Sequence, residues 1–122
     1  RVSDWMTPMK RSVALAPDVP VAMAFELART NDVDALPVLG EDGNYVGVFE
    51  PALCGGRVPE DRLVRQHMRP LEQVRQDESP LRILQRLRKR GRNVALVLGA
   101  GDEPVGLISE QDLLRPLIHD RP

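Results

Sequence analysis

Apolar residues recur along the chain at two spacings. Val21, Ala24, Phe25 and Ala28 fall three or four apart, with Met23 and Leu27 widening the stripe, which predicts an amphipathic helix. Asp18-Val19-Pro20 opens this helix, and Asn31 stands where a left-handed residue would close it. Ala35 to Leu39 and Tyr45 to Phe49 are short apolar runs flanking Gly40-Glu41-Asp42-Gly43-Asn44, so they predict two strands joined by a turn. Ser12 to Ala16 predicts an earlier strand. Residues 2–9, Val-Ser-Asp-Trp-Met-Thr-Pro-Met, predict a short helical turn stopped by Pro8, and a short helix after Pro51 ends before Gly55-Gly56.

The same plan then starts again. Val64 to Met68 repeats the opening turn, and Met68-Arg69-Pro70 answers Met6-Thr7-Pro8. Glu78-Ser79-Pro80 answers Asp18-Val19-Pro20 and Ala95-Leu96 answers Ala35-Leu36, both at an offset of 60 residues. Leu87 answers Leu27, Gly91 stands in the place of Asn31, and Val105-Gly106 answers Val46-Gly47 at an offset of 59. The chain therefore reads as two copies of a β-α-β-β-α unit, residues 1–56 and 57–122, an α/β (α+β) fold. One copy is too short to bury both its sheet and its helices well. The expected solution packs the two sheets together about a pseudo-twofold axis, leaving two related clefts for a small ligand.

Val105-Gly106-Leu107-Ile108-Ser109-Glu110-Gln111-Asp112-Leu113-Leu114 is the stretch that points to chemistry. A short apolar strand meets a serine, after which Asp112, Leu113, Leu114, Leu117 and Ile118 follow at helical spacing. Ser109 is a candidate N-cap with Asp112 in the first helical turn. A strand running into a helix start offers backbone N–H groups and a favourable dipole to an anion. A carboxylate one turn in can accept hydrogen bonds from a ribose diol. The plainer reading is a capped helix with an acidic first turn.

Composition narrows the class. With 42% hydrophobic and 29% charged residues the chain reads as globular, and with 3% aromatics its core must be aliphatic. A net charge of -1 argues against a nucleic-acid protein held by bulk electrostatics. Cys54 is alone, which excludes an internal disulfide. No apolar run approaches the ~20 residues of a membrane span. Arg1 opens the chain where an initiator methionine would stand, as expected of a piece of a longer protein. His67 and His119 lack Cys or carboxylate neighbours at metal-ligand spacing, and no nucleophile, base and oxyanion set can be assembled, so neither a metal site nor an enzyme is expected.

The tandem unit resembles a CBS-domain pair, or Bateman module. The marks are Met6-Thr7-Pro8, Ala35-Leu36-Pro37-Val38, Val46-Gly47-Val48-Phe49 and the closing Gly106-Leu107-Ile108-Ser109-Glu110-Gln111-Asp112-Leu113-Leu114. Asp4-Trp5-Met6-Thr7-Pro8 and the run from Leu84 to Val97 are similar to the CBS region of CorC/CNNM-type magnesium and cobalt efflux proteins. Gly99-Ala100-Gly101-Asp102-Glu103-Pro104 departs from the last turn usual in that family. The resemblance implies a regulatory pair that binds an adenosine nucleotide (AMP, ADP or ATP), with or without Mg²⁺. It further implies a homodimer attached to a membrane transport domain and placed on its cytoplasmic side.

Carried over, Ser109 and Asp112 would work with Thr7, Val13, Val33, Asp34 and Ala35. Val33 and Ala35 would flank an adenine, Asp112 would hold the ribose hydroxyls, and Ser109 a phosphate or ribose oxygen. In the first repeat Glu50 stands in place of the serine and Leu53 in place of the aspartate, so that cleft reads as degenerate. Two further readings stay open: a structural dimerisation module without ligand, and a regulator of a soluble enzyme or free-standing CBS protein. Arg82, Arg86, Arg88, Lys89, Arg90 and Arg92 form a basic cluster. It reads first as a solvated face complementing a helix C-terminus, with Arg90 and Arg92 as candidate phosphate contacts. Nucleic acid is not expected there, since no aromatics interleave to stack bases.

Overall fold

The computed structural model describes residues 1–119, and side chains as far as Arg115. The chain divides into two compact units that do not coincide with the two sequence repeats. One unit joins Arg1–Ser12 to the chain from Glu72 onward, and the other is Val13–Leu71. Each repeat thus sends its opening segment to the other repeat's strands.

In the first unit, β1 (Thr7–Pro8), β6 (Pro104–Ser109), β5 (Val94–Leu98) and β4 (Glu72–Arg75) form a four-stranded sheet in that order. β1 and β5 run antiparallel to β6, and β4 runs parallel to β5. The parallel pair is joined through α2 (Pro80–Arg90), as parallel strands require. α3 (Glu110–His119) follows β6 directly. Ala95, Val97 and Ile108 alternate along their strands into a core with Ile83, Leu84 and Leu87 of α2 and Leu113 of α3. Val2, from the opening segment, is buried in the same core. A buried valine contributes about 1.5–3 kcal/mol, so the opening segment is part of this unit's stability.

The second unit is built on the hairpin of β2 (Leu36–Leu39) and β3 (Tyr45–Phe49) with α1 (Val21–Thr30). Its sheet edges shrink to single bridges, Leu15 parallel to Val38 and Arg69 antiparallel to Val48. The topology is otherwise that of the first unit. Ser12–Ala16 is therefore one bridge rather than the expected strand, held by Leu15 through hydrogen bonds to Pro37 and Leu39 of 2.9 and 2.8 Å. Val21, Ala24, Ala28, Leu36, Val38, Phe49 and Val64 make the core, with Phe25 edge-on to Phe49 at 5.8 Å between ring centroids. Met23 does not widen the helix stripe; it is 54% exposed. The short helix after Pro51 is a 3-10 turn, Pro51–Cys54, followed by Gly55 and Gly56 at positive φ.

The repeat offset is 59 through strands and helices. Leu36 pairs with Phe49 and Ala95 with Ile108; Pro37 pairs with Val48 and Leu96 with Leu107. The bulge after Val38 recurs after Val97. This overturns the offset of 60 expected from the Asp-Val-Pro and Glu-Ser-Pro matches. Pro20 is an N-cap residue while Pro80 is the first residue of its helix, where its missing N–H costs nothing. It also moves the helix stop. Asn31 stays right-handed at φ −95°, and Asp32, at φ 51°, takes the left-handed place that Gly91 takes at φ 63°. The Val33 N–H bonds to Ala28 O at 3.0 Å as the Arg92 N–H bonds to Leu87 O at 2.9 Å, so both helices close alike.

The opening segments follow a different offset, 62. Val2–Asp4 and Val64–Gln66 are both 3-10 turns, and the bonds Trp5 N–H to Val2 O and Met6 N–H to Val2 O recur as His67 to Val64 and Met68 to Val64. The three-residue difference matches the 3-10 turn Met9–Arg11, which follows β1 and has no equivalent after Pro70. The expected turn stopped by Pro8 thus ends sooner, and Pro8 itself lies in β1 opposite Gly106. A Cβ on Gly106 would stand 2.5 Å from Met6 Sδ and 2.8 Å from the Thr7 carbonyl oxygen. On Gly47 it would stand 3.0 Å from Met68 Sδ and 2.9 Å from the Arg69 carbonyl oxygen.

Gly106→Ala should destabilise the protein by about 1–3 kcal/mol, the usual penalty for overpacking, and Gly47→Ala by a similar or smaller amount, read by urea denaturation. Unchanged midpoints for both would contradict the close approach. At the helix ends, Gly91→Ala should lose about 1 kcal/mol and Asp32→Gly should lose nothing or gain, because a left-handed residue with a Cβ costs roughly 1–2 kcal/mol. The same denaturation curves decide it.

Candidate functional site

β6 delivers Ser109 to the start of α3, and the two predicted residues bond to each other. The Asp112 N–H donates to Ser109 Oγ at 3.0 Å, and the Ser109 N–H donates to Asp112 Oδ2 at 3.0 Å. This is a reciprocal capping box with an aspartate at its third helical position. Asp112 keeps Oδ1 outside that exchange, 3.8 Å from Arg115, with its side chain 19% exposed. A fixed carboxylate with one oxygen turned to its surroundings can accept a hydroxyl pair. Arg115 is a neighbour that sequence spacing one turn further along would have supplied.

Thr7 joins this pair through the sheet. It lies opposite Leu107, and Ser109 is two residues on from Leu107 along β6. Residues two apart in a strand share a face, so Thr7 and Ser109 are diagonal neighbours on one side of the sheet. Thr7 is exposed and Ser109 is half-buried. The first unit thus brings Thr7, Ser109 and Asp112 together.

Val13, Val33, Asp34 and Ala35 belong to the other unit. Val13 and Val33 pack against its hydrophobic core. Asp34 is exposed in the loop before β2, and Ala35 is half-buried at its end. Val33 and Asp34 line a cavity of about 330 Å³ with Phe25, Ala28, Pro51 and Ala52. Pro51 and Ala52 were not singled out by sequence, since nothing in the spacing places that turn beside the end of α1.

The counterpart of the Ser109 site in this unit is occupied by charge. By the 59 offset Glu50 and Leu53 stand for Ser109 and Asp112, and by the 62 offset Arg69 stands for Thr7. Glu50 Oε1 lies 3.9 Å from Arg69 Nη1, with the glutamate side chain only 10% exposed. Leu53 is half exposed. The signal for this pair was present in Met68-Arg69-Pro70, but only the cross-strand register joins it to Glu50.

Three of the six basic residues on and after α2 meet carboxylates. Arg88 meets Glu110 at 3.2 Å, Arg90 meets Glu72 at 2.8 Å, and Arg86 meets Glu78. Arg90, a candidate phosphate contact, is thereby committed to a carboxylate on β4. Cys54 is half-buried, and desolvation raises its thiol pKa above the ordinary value, which disfavours the reactive thiolate. Among the described residues no three His, Cys, Asp or Glu side chains gather as a metal ligand set, and no helix is long and apolar enough to cross a membrane. The side chain of His119 lies outside the described residues.

The model of the CBS domain matches residues 2–50 and again 64–119. Among solved structures, the CBS domain of a bacterial CNNM/CorC family Mg²⁺ transporter in complex with ATP superposes with a TM-score of 0.82 at 22% identity, covering 98% of this chain and 88% of that one. CBSX2 in complex with AMP superposes at 0.74 and 20% identity, covering 97% and 96%. A hemolysin-like protein containing a CBS domain, from Oenococcus oeni PSU, gives 0.79 at 17% identity over 93% and 87%. No curated protein sequence matches the chain. Two family matches over nearly the whole chain, on a fold whose strands and helices repeat, make this chain a member of the CBS domain family, carrying the domain twice.

Proposed function

We propose that this CBS pair is a regulatory module that binds an adenosine nucleotide, AMP, ADP or ATP, through Thr7, Ser109 and Asp112. The observation that carries the reading is the capping box at the junction of β6 and α3. It holds the Asp112 carboxylate at a helix start while leaving Oδ1 outside the cap, and Thr7 lies diagonal to Ser109 across the strand pair. The ATP complex of the transporter domain and the AMP complex of CBSX2 support the ligand class. The likeness to the CNNM/CorC domain supports attachment to a divalent-cation transport protein for Mg²⁺ or Co²⁺, on its cytoplasmic side. The module acts without turnover. The nucleotide stabilises one state of the pair over another, and that difference in affinity biases the attached domain. Mg²⁺ would accompany the phosphates when the ligand is ATP.

A second reading is favoured by the same hydrogen bonds. Ser109 and Asp112 each satisfy the other, as they would in a helix cap with no ligand, and the protein is then a dimerisation module. Calorimetry separates the two. One nucleotide should bind per chain. Asp112→Ala should weaken it roughly ten- to a hundredfold, the equivalent of about 1.5–3 kcal/mol for a charged hydrogen bond. Asp112→Asn, which keeps a cap acceptor, should weaken it while leaving the melting temperature near wild type. Ser109→Ala should cost about 0.5–1.5 kcal/mol. Undiminished affinity in a folded Asp112→Ala protein overturns the assignment. The module should also sediment as a homodimer, and a monomer at high micromolar concentration would contradict that.

A further inference from the structure

The two units place different side chains on the same frame. In the first, Thr7 lies opposite Leu107 and diagonal to Ser109. In the second, Arg69 and Val48 exchange both backbone hydrogen bonds at 2.9 Å, and Glu50 is two residues beyond Val48. Arg69 and Glu50 therefore hold the diagonal places of Thr7 and Ser109. Two neutral hydroxyls in one unit are replaced by a guanidinium and a carboxylate in the other.

That carboxylate is not a surface charge. The Glu50 side chain is 10% exposed and that of Arg69 30%, with 3.9 Å between Oε1 and Nη1. An ionised carboxylate so far out of water needs a cation beside it. Glu50 leads into the turn Pro51–Cys54, and the Leu53 N–H bonds to its carbonyl oxygen at 3.0 Å, so its backbone is fixed at the point where β3 ends. In the first unit the equivalent point is the helix start at Ser109.

We infer that Arg69 is an oxyanion-binding residue whose site is closed from within by Glu50. The glutamate carboxylate takes the place that a phosphate of an incoming ligand would take beside the guanidinium, because both are oxygen anions drawn to the same cation. The second unit is thus a self-occupied phosphate site rather than an eroded one. This rests on the nucleotide reading only for the choice of ligand class. The chemistry at Arg69 stands on the cross-strand register and the ion pair. It also accounts for Leu53: a site filled by its own carboxylate has no use for a second acid to hold a sugar.

Opening the lock tests it. Glu50→Gln keeps the shape of the side chain and removes its charge. Inorganic tripolyphosphate is the probe, titrated calorimetrically at low ionic strength into wild type, Glu50→Gln and Glu50→Gln/Arg69→Gln, so that any binding by the other unit is common to all three and only the difference is read. Circular dichroism and melting confirm that each variant folds. Glu50→Gln should bind the probe at least tenfold more tightly than its parent, with one added site per chain, and the added site should vanish in the double variant. If folded Glu50→Gln gains no binding, or if the gain survives loss of Arg69, the inference is wrong. Should Glu50→Gln not fold, Glu50→Ser, which installs the first unit's residue at this position, gives the same readout. Failure of the nucleotide reading shows separately, as wild type that binds no nucleotide.

Discussion

Two strands without side chains at one position, Gly47 and Gly106, let a methionine sulfur and a peptide carbonyl lie directly against them. On that contact each unit depends. It seats an opening segment that arrives from the other repeat, and the segment brings Val2 or Val64, both fully buried, into the core. It also sets the register by which Thr7 meets β6 and Arg69 meets β3. Closing the glycine gap would push the segment off the strand and expose a buried valine, so packing and site geometry fail together. The pairing is between distant parts of the chain, and its loop-closure entropy is offset by burial on a seam that no bulkier residue could share.

The repeat shows what the frame requires and what it leaves free. Register, bulge, helix closure and opening turn recur residue for residue, because each is a backbone hydrogen-bond requirement that many side chains can satisfy. The left-handed positions are kept while their occupants change: Asp32 stands for Gly91, and Asp102 stands for Gly43. An aspartate tolerates that conformation better than most residues. The places that project from the frame at the strand-to-turn junction are where the two units diverge, hydroxyls and a capping aspartate in one, an ion pair and an exposed leucine in the other.

Charge on α2 follows the same economy of local partners. Its arginines look in sequence like one basic face, yet Arg86, Arg88 and Arg90 each find an acid on a different element: the loop before α2, the start of α3, and β4. Exposed pairs of this kind contribute little individually, about 0–1 kcal/mol. Their effect here is to leave the helix with less uncompensated positive charge than its sequence suggests. Arg88 with Glu110 also ties α2 to the residue next to Ser109, so the junction that carries the proposed site is braced from the neighbouring helix.

Periodicity in the chain determined the strand Tyr45–Phe49, the helix that follows Pro20 with its counterpart after Ser79, the cap at Ser109, and the fact of repetition. All of these follow from interactions within a few residues or from a pattern copied along the chain. What only the tertiary structure decided was whatever depends on pairing across it. The Pro20 and Pro80 match suggested an offset of 60, because proline is conspicuous, but strand register fixed 59 and moved the helix stop from Asn31 to Asp32. Ser12–Ala16 reads as a strand, yet its partner strand supports only one bridge. The repeats are contiguous in sequence, whereas each unit draws on both, since each opening segment pairs with the glycine-bearing strand of the other repeat. Glu50 beside Leu53 reads as a lost site; that Glu50 instead faces Arg69 is a consequence of two residues brought diagonal by a single antiparallel bridge.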